Sequence, residues 1–64
     1  MTQKELLYVE DAVGHEQNII KILDESLANL EDEKLVTFME KEVKKHASTL
    51  KKLLNKLEDK SNEW

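Results

Sequence analysis

The chain has no cysteine and no proline, a single glycine (Gly14), one residue each of Trp, Tyr and Phe, and no arginine among its ten basic residues. The missing cysteines exclude disulfides and thiolate metal sites, and give no sign of an extracellular life. With Lys as the only strong base, bidentate recognition of phosphates or base edges is poorly served, so nucleic acid is not an expected partner. The opening "MTQKELLYVED" has no apolar run of the signal-peptide kind. No stretch approaches the roughly 18 apolar residues of a membrane span. The expectation is therefore a soluble, cytoplasmic protein with no membrane partner.

What is present is charge and helical spacing. Of 64 residues, 38% are charged and the net charge is −4. Residues 1–32 hold eight acids and two lysines (2 − 8 = −6), and residues 33–64 hold six acids and eight lysines (8 − 6 = +2). The complementary halves suit packing against each other or against a second copy. A chain this short forms one small domain at most and hides only about 60% of its surface, so a lone monomer is marginal. Without disulfides, self-association or a His/carboxylate metal site is left to stabilise it.

Thr2 and Glu5 form a Thr-x-x-Glu capping box and predict a helix start. From there Leu6, Val9, Val13, Glu16, Ile20, Leu23, Leu27 and Leu30 step by three and four residues, and Glu16 alone is polar. Ala12, Ile19 and Ser26 flank this stripe, with Tyr8, His15 and Ile22 further round the same side. The buried face is thus expected to be wider than a two-stranded seam. "ANLEDEK" marks a break, where Asn29 can adopt the left-handed conformation that ends many helices and Asp32 can cap the next.

In the second helix Val36, Met39, Val43, His46, Leu50, Leu53, Leu57, Lys60 and Trp64 repeat the spacing, with His46 the central intruder. Leu35, Glu42 and Thr49 flank it on one side, Ala47 and Leu54 on the other. The expected fold is all-α: a helix over about 3–29, a turn at about 30–32 and a helix over about 33–60. Together they make one antiparallel hairpin over 1–64 that dimerises into a four-helix bundle. The rival, a single long helix in a coiled coil, conflicts with the break and the wide faces.

The inward polar residues are Glu16, Glu42, His46 and Thr49, with His15 at the boundary. One reading is structural, a polar layer that sets register, with Glu42 and His46 paired on one helix face and Glu16 bonded to His46 or to a second copy. In that reading the protein is not an enzyme and has no cofactor. The other is an iron, manganese or zinc site using Glu16, Glu42, His46 and His15 across the dimer. Its spacing departs from the Glu-x-x-His motif, because Val43 stands three residues before His46 and Glu42 four. Folding about residue 33 also puts Ile20, not Glu16, opposite His46.

Lys41, Lys44, Lys45, Lys51 and Lys52 face outward as a solvated surface, and Leu7 and Phe38 also fall outside. Tyr8 is expected at the boundary with its hydroxyl in water. No nucleophile–base pair and no glycine-rich phosphate loop is present. Candidate partners are a second copy, a higher homo-oligomer or another helical protein.

"KELLYVEDAVGHEQNIIKIL", "LANLEDEKL" and "KKHASTLKKLL" together resemble the short helical-hairpin proteins of spore-forming Firmicutes called spore coat protein F-like, grouped with the ferritin-like and rubrerythrin-like helical proteins. "EDAVGHE" is the most specific part. The resemblance implies a ferritin-like half-bundle that dimerises. Its histidine–glutamate pair would fall on His15 and Glu16, and its second-helix histidine on His46. Glu10 and Asp11 lie in the same stretch but face outward. It further implies a spore-associated, coat-related role in assembly rather than catalysis.

Overall fold

The computed structural model describes residues 1–62, with side chains described as far as Asp59. Lys60 and Trp64, the expected end of the second stripe, lie outside the residues so described. Two helices, α1 (Gln3–Leu27) and α2 (Glu33–Asn62), pack against each other as an all-helical hairpin. Their 25 and 30 residues correspond to about 38 and 45 Å at 1.5 Å per residue. The molecule measures 48 × 14 × 12 Å, as two helices side by side require. No helix among the described residues is long and apolar enough to cross a membrane.

The caps explain the ends. Thr2 Oγ1 accepts from the Glu5 N–H at 3.1 Å while Thr2 N–H donates to Glu5 Oε1 at 2.7 Å, closing the capping box. Asp32 Oδ1 accepts from the N–H groups of Lys34 and Leu35 at 2.9 and 3.1 Å, starting α2. The end of α1 differs from expectation. No residue among those described other than glycine has a positive φ, and Ala28 is right-handed at φ −63° and ψ −19°. Asn29 caps with its side chain instead, its amide donating to the Glu25 carbonyl at 2.9 Å. Its N–H bonds Ser26 O at 3.0 Å in a tightened last turn, so no left-handed residue is needed.

The helix therefore stops at Leu27, two residues short of the expected 29, and the chain reverses within 28–32. This shifts the register. Glu16 and His46 meet across the hairpin, and their mean position is (16 + 46)/2 = 31. The fold axis thus lies near residue 31 and not 33, and Glu16 takes the place opposite His46 that folding about residue 33 assigns to Ile20.

Every described member of the two stripes is half-buried, and so are Ala12, Ile19, Ser26 and Glu42 on one flank. Beyond that line the expected wide face is not covered. Tyr8, His15, Ile22, Leu35, Ala47, Thr49 and Leu54 are exposed. Thr49, expected inside, turns its hydroxyl to its own helix and donates to the Lys45 carbonyl at 3.2 Å. Two helices cover only one seam between them, and no described residue is buried outright.

Gly14 sits inside α1, where a Cβ would meet nothing within 4 Å. Gly14→Ala should therefore stabilise the hairpin by about 0.5–1 kcal/mol through lost backbone freedom in the unfolded chain, read as a higher urea midpoint. A lower midpoint would mean that something packs on this surface in solution.

Candidate functional site

The polar layer lies halfway along the hairpin. Glu16 is 13 residues from the start of α1 and 11 from its end, since α1 runs from 3 to 27. Leucine, isoleucine and valine layers stand on either side, so the layer is an island in an apolar seam. His46 is its centre. Its Nδ1 lies 2.6 Å from Glu16 Oε2, and its Nε2 lies 3.7 Å from Glu42 Oε2 one turn earlier on α2. An ionised carboxylate can only accept, so Nδ1–H is the donor to Glu16. The Glu42 separation is beyond a hydrogen bond and becomes an ion pair only when the ring is charged.

The three side chains are partly shielded, with 17% exposure for Glu16, 25% for His46 and 30% for Glu42. A fully buried carboxylate would be costly even when paired; at the seam edge the cost of desolvation is smaller. Among the described residues no buried side-chain nitrogen or oxygen lacks a hydrogen-bond partner.

Of the four candidate ligands, the fold brings Glu16, Glu42 and His46 together and leaves His15 apart. His15 is the neighbour of Glu16, and a step of about 100° round the helix carries it onto the exposed side. Within one chain no group of three or more His, Asp or Glu side chains among the described residues is placed to hold a metal ion. The geometry gives the reason: the two carboxylates approach different ring nitrogens, which point away from one another.

A second feature was only half visible in the sequence. In an antiparallel pair the local two-fold axis runs perpendicular to the broad face, so equivalent heptad positions of the two helices appear on the same side. That places Ile19 and Ile22 of α1 on one broad face with Leu35, Phe38 and Glu42 of α2. Ile22, Leu35 and Phe38 are 52%, 51% and 58% exposed. Leu7 and Leu54 fall on the opposite broad face, near the open end.

Fold and site together define an antiparallel two-helix hairpin with one carboxylate–imidazole layer in its seam. No protein-family model, curated protein or solved structure matches the chain.

Proposed function

We propose that the protein is a non-enzymatic helical hairpin whose working form is a homodimer, two hairpins packed face to face as a four-helix bundle. The observation that carries this is the absence of any buried residue among those described, in a chain of which 39% is hydrophobic. Ordering each residue costs about 1.5 kcal/mol, and one half-buried seam does not offset that cost. A second copy laid on the face bearing Ile22, Leu35 and Phe38 turns half-buried stripes into a core.

Charge favours one arrangement of the pair. Between residues 3 and 27 α1 carries six acids and two lysines (2 − 6 = −4), and between 33 and 62 α2 carries five acids and eight lysines (8 − 5 = +3). With the dyad along the long axis, each α1 lies beside the partner's α2 and the two turns share one end. With the dyad across the axis, the two acidic helices would face each other. A place in a spore-associated, coat-related assembly, with such a bundle as its structural unit, is part of the same proposal.

Sedimentation equilibrium is the test, with a dimer expected at micromolar concentration and a monomer throughout refuting the reading. Because the chain has no cysteine, Glu31→Cys reports on the turns: oxidation should link the two copies within the dimer if the turns adjoin. A second reading, a protein that binds iron, manganese or zinc between copies, is favoured by one observation, the meeting of Glu16, His46 and Glu42 in a single layer.

A further inference from the structure

We propose that His46 Nε2 and the Glu42 carboxylate form half of a divalent-metal site of the zinc type, completed by the same two residues of a second copy, with Glu16 orienting the imidazole and not touching the ion. The inference rests on the dimer proposed above. Glu42 and His46 stand one helical turn apart on α2, with Oε2 and Nε2 3.7 Å apart. Two ligands of a tetrahedral zinc ion, each about 2.1 Å from the metal, are separated by roughly 3.4 Å. A small side-chain adjustment closes the difference.

The far side of the ring is already occupied in the way a ligating histidine needs. Nδ1 lies 2.6 Å from Glu16 Oε2, and in the neutral ring an Nδ1–H donated to that carboxylate puts the lone pair on Nε2. A carboxylate behind the imidazole is the usual support of a metal-bound histidine; it holds the ring plane and raises the basicity of the ligating nitrogen. The placement also explains why one chain holds no group of three ligands: it supplies two ligands and one orienting group.

The position along the hairpin supplies the other half. The layer lies at mid-length on the face that carries Ile22, Leu35 and Phe38. A two-fold pairing through that face with full overlap brings both Glu42–His46 pairs to the same level. The pairing would gather both copies of Glu16, Glu42 and His46 at mid-length, with His15, one heptad before Ile22, and Lys45, one heptad after Phe38, beside them on the same broad face. A divalent cation there offsets charge that would otherwise repel. Two imidazole nitrogens and two carboxylate oxygens make a tetrahedral N/O set suited to zinc.

The test titrates zinc chloride into chelator-treated full-length protein, followed by calorimetry and native mass spectrometry. One zinc per dimer is expected. Glu42→Gln and His46→Gln should remove binding, and Glu16→Gln should weaken it about 10- to 100-fold at unchanged stoichiometry. Circular dichroism verifies that each variant remains helical. Cobalt substitution gives an independent readout, with visible bands of tetrahedral intensity expected in the wild type and absent from His46→Gln. Zinc affinity unchanged in Glu42→Gln would overturn the assignment, as would Glu16→Gln abolishing binding, which makes Glu16 a ligand. A dimer that takes up no zinc overturns this inference alone; a monomer that takes up none overturns the dimer with it.

Discussion

Replacing Phe38 by Glu should raise the dimer dissociation constant by a factor of about 10² to 10⁴. In an isolated hairpin Phe38 is 58% exposed, and a surface substitution of that kind stays within about 0.5 kcal/mol. If a second copy covers the ring, each protomer loses about 1.5–3 kcal/mol of burial, and a two-fold interface loses it twice. Roughly 3–6 kcal/mol in association corresponds to the stated factor. The matched control is Leu7→Glu, at a residue 60% exposed on the opposite broad face. It should leave association unchanged. Sedimentation equilibrium on both variants decides between the faces: a dimer disrupted by Leu7→Glu and indifferent to Phe38→Glu would place the interface on the wrong side of the hairpin here.

The two variants also separate what the sequence could disclose from what it could not. Spacing by three and four residues identifies which side chains line the seam, because every described member of the two stripes is half-buried. Local chemistry places Thr2, Glu5 and Asp32 correctly, since a capping side chain acts on N–H groups two or three residues away. Register is different in kind. It depends on where the first helix stops, and Asn29 ends α1 through its side-chain amide rather than a left-handed backbone, so the seam shifts by about one turn. That shift brings Glu16, and not Ile20, to His46.

The width of the buried face was legible only as a pattern. Tyr8, Ile22 and Leu35 have the periodicity of a bundle helix, but one hairpin cannot cover them. Thr49, expected inside, is exposed for a related reason, and His15, expected at the boundary, falls on the exposed side. A residue on the flank of a stripe is inside or outside according to what lies beyond the hairpin, and the sequence of one chain does not contain that. The polar identity of Glu42, by contrast, is informative from either side, because i, i+4 spacing holds it near His46 in any helix.

Replacing Glu16 and His46 singly and together by Leu should give opposite results. Glu16→Leu leaves the His46 Nδ1–H, 25% exposed, without its acceptor, and His46→Leu leaves a carboxylate 17% exposed without its donor. Each single change should cost about 1–3 kcal/mol, because half-buried polar groups lose partners that water replaces only in part. The double variant removes both polar groups and fills the layer with leucine. Its stability should return to the wild-type value or exceed it, giving a coupling of about 2 kcal/mol or more. For a domain of this size each 1 kcal/mol moves the melting temperature by roughly 4–8 °C, so chelator-treated protein resolves all four corners of the cycle. Additive single effects, with no recovery in the double variant, would remove the Glu16–His46 bond as the reason for the layer. If the recovery occurs, stability is not what keeps a carboxylate where the heptad asks for leucine. The uninterrupted seam would then be more stable and less specific, and native mass spectrometry of the double variant should reveal assemblies other than the dimer. A single polar layer at mid-length opposes slips in register, since any slip of one turn moves Glu16 away from His46 and against an apolar neighbour.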